Sequence, residues 1–178
     1  MQAEEVSGMA ASMVASVEGT QNVSVEFRQL ASAADRAAFR ALNEEWISRY
    51  FVIEPKDHET LSDPDTTILG KGGRILMAYV NGEPMGCVAL IPMDGGVYEL
   101  SKMAVSPALR GQGIGRRLIE YAIEQARLLG ATSLFLGSNS KLKSAVHLYE
   151  SIGFKHVPPE SLPDMPYARA NVFMEMAL

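Results

Sequence analysis

Between positions 110 and 116 the chain reads Arg110-Gly111-Gln112-Gly113-Ile114-Gly115-Arg116, with glycine at every second position and arginine at both ends. The residues before it, Val97 to Val105, read as a strand. The residues after it, Ile114 to Leu129, place Leu118, Ile119, Ala122, Ile123, Ala126 and Leu129 at steps of three and four. That is the period of a helix with one buried face, and Gly130 is a suitable stop. Ser133 to Gly137 follows as a short apolar strand. A strand, a crossover helix and a second strand predict a right-handed parallel unit. Glycines let successive N–H groups turn toward one point, and a helix start adds partial positive charge there. The arginines add formal charge. The loop is therefore an anion cradle suited to a phosphate or pyrophosphate.

The rest of the chain frames this unit. Val23, Val25 and Phe27 alternate with Ser24, Glu26 and Arg28, the pattern of a half-buried strand. Ser32 is a candidate N-cap for a helix over Ala33 to Phe51, with Phe39, Leu42, Trp46, Ile47 and Tyr50 on one face and Pro55 as its stop. Glu54 to Gly70 reads as a polar loop with a helical turn around His58 to Leu61. Ile75 to Val80, a turn at Asn81-Gly82, and Met85 to Pro92 form a hairpin; after Asp94-Gly95-Gly96, Val97 to Val105 extends it to a three-stranded antiparallel meander. Beyond the crossover come a helix over Lys141 to Ile152, a strand from Phe154, a loop with four prolines from Pro158 to Pro166, and a last strand from Ala168 to Ala177. The expected fold class is α/β, a mixed sheet with an antiparallel N-terminal meander and then a parallel strand-helix-strand crossover. The expected organisation is a single domain over 23–178, preceded by a flexible extension over 1–22, for which a helix docking on a partner chain is the minor alternative.

Composition excludes several functions. Lys and Arg number 16 against 21 Asp and Glu, a net charge of −5, so no nucleic-acid partner is expected. Cys87 is the single cysteine, and His58, His147 and His156 lack metal-ligand spacing, so neither a disulfide nor a metal is expected. No apolar run of membrane-spanning length occurs and the first residues are acidic, which predicts a cytoplasmic protein with no membrane partner. Among phosphate binders, a P-loop requires Lys-Ser or Lys-Thr after the last glycine, whereas Gly115 is followed by Arg116-Arg117. A dinucleotide fingerprint requires G-x-G-x-x-G and a later acid; the spacing here is G-x-G-x-G, and Leu134 to Asn139 holds no acid.

Lys102-Met103-Ala104-Val105 followed by Arg110-Gly111-Gln112-Gly113-Ile114-Gly115 resembles the coenzyme motif of the GNAT N-acetyltransferases. The resemblance continues through Leu148-Tyr149-Glu150 and Gly153-Phe154 and covers Val23 to Ala177. Glu99-Leu100-x-Lys102-Met103-Ala104-Val105, Ser138-Asn139 and Tyr167-Ala168-Arg169-Ala170-Asn171 look like the acetyltransferase half of bacterial fusions with a winged-helix regulator. One position departs from the wider family: many members carry Asn seven residues before the tyrosine, where this chain has Leu142, and Asn139 lies ten before Tyr149.

The resemblance implies acetyl-CoA as co-substrate, a primary amine acceptor (a small molecule or a protein), and direct attack of the amine on the thioester. It also implies a homodimer. The coenzyme would lie between the strands of Val97 to Val105 and Ser133 to Gly137, on the backbone of Met103, Ala104 and Val105. Its pyrophosphate would rest on the loop from Arg110 through Gly111, Gln112, Gly113, Ile114 and Gly115 to Arg116, with Asn139 as a pantetheine contact. Tyr149 is the implied general acid, although its helical spacing alone fits a core residue. Glu99 is the candidate base through water, or else a residue on a solvated strand face. Glu54 and Asp57 are candidate acids for a cationic amine, and Lys102, Arg169 and Asn171 are either structural hydrogen-bonding residues or walls of the acceptor cleft. Cys87, in an apolar strand, reads as a buried small residue rather than a nucleophile. The alternative function is a catalytically silent module that senses acyl-CoA.

Overall fold

The structure is a computed structural model and describes residues 23–162, 164 and 166–178. The expectation for the N-terminal extension lies outside the described residues. Among the described residues the chain forms one seven-stranded sheet in the order β1-β2-β3-β4-β5-β7-β6. The strands are β1 (Val25–Gln29), β2 (Arg74–Val80), β3 (Glu83–Pro92), β4 (Val97–Val105), β5 (Ser133–Ser138), β6 (Lys155–His156) and β7 (Val172–Ala177). The helices are α1 (Ala33–Tyr50), α2 (Pro55–Ser62), α3 (Pro64–Thr67), α4 (Ile114–Leu128) and α5 (Lys143–Ile152). β1 to β4 pair antiparallel, β4 and β5 pair parallel, and β7 lies antiparallel between β5 and β6. This is the expected mixed α/β sheet. Among the described residues no helix is long and apolar enough to cross a membrane.

β2 explains why the sheet is covered on both faces. Its residues are almost all apolar and buried, and they alternate between two cores. Leu76, Ala78 and Val80 pack with Leu118, Ile119 and Ala122 of α4; Ile75, Met77 and Tyr79 pack with Phe39 of α1 and Leu61 of α2. A strand that reads as a continuous hydrophobic run is therefore a central strand between two helical layers.

α1 starts on a capping box. The Ser32 hydroxyl accepts from the Asp35 N–H at 3.1 Å, and the Asp35 carboxylate accepts from the Ser32 N–H at 3.1 Å. Asp35 is fully buried and also receives the Tyr79 hydroxyl of β2, with the Arg28 guanidinium stacked 3.7 Å from the centroid of the Tyr79 ring. The helix start is thus pinned to the sheet.

Two regions differ from the sequence expectation. The stretch Glu54 to Gly70 holds α2, α3 and a short 3-10 turn, so it is more helical than a polar loop with one helical turn; that turn, expected around His58 to Leu61, falls within α2. α1 has already ended at Phe51, and Pro55 and Pro64 each occupy the first turn of the next helix, where the missing N–H costs nothing. The last strand starts at Val172 rather than Ala168, because 167–171 is occupied by a turn and by side-chain bonds to other elements.

Candidate active site

β4 and β5 share only three pairs, Val97↔Ser133, Tyr98↔Leu134 and Glu99↔Phe135. Beyond Glu99 the strands part, although β4 stays paired with β3 as far as Val105↔Gly86. The parting coincides with a β-bulge. Cys87 faces Ala104 and Ala89 faces Ser101, so β4 spends one more residue than β3 over this interval. Lys102 lies in the bulge with φ of 51°, a left-handed conformation that is costly for a side chain of this kind. The bulge reverses the strand's alternation: Tyr98 and Leu100 point to the α4 face before it, and Met103 and Val105 point there after it.

The bulge is clamped from the α1 side. Asn43 is completely buried, and its Nδ2 donates to the carbonyls of Phe39 at 2.9 Å and Lys102 at 3.2 Å. The Cys87 thiol points at the same Lys102 carbonyl from 3.6 Å. Burial pushes this thiol up to about 12, so it is a protonated packing group at neutral pH and not a nucleophile. Sequence reasoning missed Asn43; its signal was a polar residue on the apolar stripe of Phe39, Leu42 and Trp46.

The gap between β4 and β5 opens into a cavity of about 450 Å³. Glu99, Lys102, Met103, Ala104, Val105, Arg110, Asn139, Tyr149 and Arg169 all line it. From Leu100 onward the edge of β4 that faced β5 has no strand partner, so its backbone groups are open to this space. Gly111, Gln112, Gly113, Ile114, Gly115 and Arg116 lie beside the cavity rather than in its wall. Gly111 and Gly113 have φ of 79° and 76°, which only glycine adopts without strain. Arg117 N–H is bonded to the Gly113 carbonyl, so the N–H groups of Ile114, Gly115 and Arg116 have no partner within the helix. A Cβ on Gly115 would stand 3.5 Å from Met103 Cε and 3.6 Å from a Leu148 methyl, ordinary contact distances that show how closely the start of α4 lies on β4 and α5. These features fit a pyrophosphate. One expected contact is used otherwise: the Gln112 N–H closes onto the Leu109 carbonyl at 3.3 Å. The Arg116 guanidinium reaches Ser151 of α5 at 2.5 Å, while its N–H stays with the cradle.

Tyr149 projects from α5 with its hydroxyl 3.9 Å from Met103 Sδ, a weak acceptor, and its ring edge-on to Phe154. Burial pushes this hydroxyl up to about 12, which keeps it protonated. Glu99 sits on the last β4–β5 pair; burial raises its carboxyl above the ordinary range, opposed by Lys102 and Ser101.

The remaining expected site residues form one network. Asp57 is completely buried, with Lys102 Nζ at 2.6 Å from Oδ1 and Arg169 on both oxygens at 2.7 Å. Burial alone would raise this carboxyl, but the Arg169 and Lys102 bonds prevail and hold it at about 2. Glu54 caps α2 and accepts from Arg169 at 3.0 Å and from the Ala168 N–H at 3.1 Å. Neither Glu54 nor Asp57 lines the cavity. Both acids expected to meet a cationic amine are already engaged within the protein: Asp57 with Lys102 and Arg169, and Glu54 with Arg169. Lys102 also donates to the Tyr167 hydroxyl at 2.9 Å. Asn139 donates to the Arg169 carbonyl at 2.6 Å and accepts from the Lys141 N–H at 2.8 Å, so its amide ties two loops together. Asn171 accepts from the Ser140 N–H at 2.9 Å and does not line the cavity. Sequence reasoning left Trp46, Phe51 and Tyr167 out of the site, although all three line it.

Comparison with known proteins agrees with this geometry. Residues 39–154 match the profile of the acetyltransferase (GNAT) family. The chain is 39% identical over 106 residues to an uncharacterised N-acetyltransferase of Escherichia coli, YjgM, covering 55% of this chain and 64% of that protein. It therefore spans just under two thirds of that relative's length. An acetyltransferase of Staphylococcus aureus shares the fold with a TM-score of 0.78 at 21% identity, over 86% of this chain and 99% of that one. The PaiA N-acetyltransferase of Thermoplasma acidophilum, solved in complex with coenzyme A, gives a TM-score of 0.68 at 19% identity, over 87% and 99% of the two chains. The parted strands, the glycine loop at the start of α4 and the profile match lead to one conclusion: the chain belongs to the acetyltransferase (GNAT) family.

Proposed function

We propose that the protein transfers the acetyl group of acetyl-CoA to a primary amine by direct attack. The observation that carries this reading is the opening of β4 from β5 immediately after Glu99, next to the unpartnered N–H groups of α4, with Tyr149 and Glu99 on the same cavity. The start of α4 would hold the pyrophosphate and the open edge of β4 the pantetheine arm. N–H groups of the Met103 to Val105 segment would receive the thioester oxygen as it gains charge.

Glu99 would draw a proton from the amine through a water molecule. A carboxyl raised by burial is a stronger base than an ordinary one. As the new C–N bond forms and the C–S bond breaks, the departing sulfur carries the electron pair. The Tyr149 hydroxyl would solvate that sulfur and supply its proton. A nearby thioether is the only hydrogen-bond partner of this hydroxyl among the described residues, so it is available to do so. The inert Cys87 thiol supports direct transfer rather than an acetyl-cysteine relay.

The test is an acceptor screen that follows release of the free CoA thiol. Turnover with one class of amine is expected. Tight acetyl-CoA binding with no thiol release from any amine would replace this reading with that of a silent acyl-CoA sensor.

A further inference from the structure

The guanidinium of Arg169 has five N–H groups in a planar fork. Asp57 takes the terminal edge, with Nη1 to Oδ2 and Nη2 to Oδ1 both at 2.7 Å. Glu54 takes the other N–H of Nη1 at 3.0 Å. Two donors are left, Nε–H and the outer N–H of Nη2, and these lie parallel along the remaining edge. Neither is bonded among the described residues, and no side-chain nitrogen there is both sealed from solvent and without a partner. The side chain is only 14% exposed and lines the cavity. Its guanidinium carbon lies 4.6 Å from the ring centroid of Tyr167 and 5.9 Å from that of Trp46. Asn139 fixes its backbone carbonyl. It is a fork held in place before any ligand arrives.

The charges around the fork indicate what it receives. Among the described residues Glu99 is the single acid that lines the cavity. Arg110 faces Glu45 of α1 at 3.5 Å, near the pyrophosphate cradle. Lys141 sits 5.7 Å from the Phe51 ring, on the same cavity as Arg169, and makes no ion pair among the described residues. A polycationic acceptor would find Arg169, Lys141 and Lys143 on the cavity wall and no carboxylate there apart from the base. A carboxylate would find a parallel pair of N–H groups at its own spacing, which is the arrangement in which arginine binds it most strongly.

Resting on the acetyl-transfer reading above, we propose that the acceptor is a small amine bearing a carboxylate, such as a free amino acid, and that this carboxylate docks on the open Nε–Nη2 edge of Arg169. Arg169 is then a specificity-determining residue. Asp57, Glu54 and Asn139 are its positioning residues.

The experiment measures binding, so it does not depend on turnover. N-acetyl-amino acids with small, apolar and acidic side chains, each paired with its own carboxamide, are titrated calorimetrically into the protein saturated with CoA. The expected result is that the acids bind at least about tenfold tighter than their amides, because the amide cannot accept two parallel hydrogen bonds. Arg169→Lys, which keeps a charge beside Asp57 but loses the fork, should abolish this preference while CoA affinity and the circular dichroism spectrum hold. Equal binding of acid and amide, tighter binding of the amides, no binding of any acid, or a preference that survives Arg169→Lys would each overturn the proposal. If Arg169→Lys does not fold, the acid-to-amide ratio of the wild type decides. CoA release is followed separately with free amino acids and with polyamines. Release with polyamines alone sinks the carboxylate dock and leaves acetyl transfer standing. A strong acid preference in binding with no release from any amine does the reverse.

Discussion

Beside one end of the cavity lie the backbone N–H groups at the start of α4, reached within a few consecutive residues by the turn through Gly111 and Gly113. The other end is built by a cluster of side chains from four distant stretches: Lys102 of β4, Asn139 after β5 and Arg169 before β7 on its wall, with Asp57 of α2 behind them. A backbone cradle depends on conformation, so few side chains matter there and exposure to water is tolerated. A charged side-chain cluster depends on mutual neutralisation, so its members are withdrawn from solvent and lean on one another. The first is local in the chain and the second exists only after the fold has closed. Perturbation should therefore separate binding from stability along the length of one cavity.

The largest effect is expected where the two ends meet. Tyr149→Phe keeps the ring against Phe154 and removes only the hydroxyl. kcat should fall by roughly 10²–10⁴-fold, the usual range for a general acid, with acetyl-CoA affinity nearly constant. Steady-state kinetics beside calorimetry will show it, and an unchanged kcat would reduce Tyr149 to a packing residue.

Gly113→Glu tests the coenzyme end alone. Nothing lies within 4 Å of a Cβ built at this position, so the side chain has room, and the main structural cost is the left-handed backbone. A carboxylate facing a pyrophosphate costs several kcal/mol, so acetyl-CoA affinity should drop by about 10²-fold or more while the Asp57 cluster and the melting transition change little. Wild-type affinity in a folded variant would remove the cradle from the coenzyme site.

Glu99→Gln should lower kcat/KM by about 10²-fold near neutral pH, the lower end for a general base. Activity should recover at high pH, where free amine is already present. Burial raises the Glu99 carboxyl, so the rising limb of the wild-type profile should lie above the ordinary carboxylate range. Parallel pH–rate profiles for the two proteins would exclude Glu99 as the base.

The acceptor end should show itself most quietly, in acid. Asp57 titrates at about 2 in the folded protein against 3.8 as its ordinary value. Between those values the unfolded chain binds more protons, so stability is fully present above about pH 4 and is lost as pH falls toward 2. The contribution is on the order of 2 kcal/mol. Denaturant titrations across that window should show a slope that Asp57→Asn flattens. An identical slope in the variant would place the acid sensitivity elsewhere.

The same contrast explains what could be read from the sequence. Residues 110–116 announced a turn and an anion site because glycine acts through its own backbone. α4 and β2 were legible because their apolar periods are local. Asp57 was not legible as a buried counter-charge, since its partners Lys102 and Arg169 lie 45 and 112 residues away. Two acids in a polar stretch suggested an open negative surface, and only the fold turns them into the support of a cation. Pro55 was read as a stop because proline ends helices as readily as it starts them, and the choice depends on α1 having already ended at Phe51. The β4 bulge left no signal at all. Lysine has no preference for a left-handed backbone, and the conformation is imposed by Asn43, Asp57 and Tyr167 from outside the strand.

The reversal of alternation at Lys102 bears on how this segment can change by descent. Substitutions along β4 alter one side chain at a time and can be compensated by a neighbour. An insertion or deletion between Leu100 and Ala104 would exchange inside for outside on one arm of the strand, sending Met103 and Val105 toward α1 or Tyr98 and Leu100 away from α4. Apart from Lys102, residue identity here is free to drift in small steps, but residue number is not. Related chains should therefore align through this stretch without gaps even where they share little sequence, and a gap there would mark a chain whose strands no longer part in the same place.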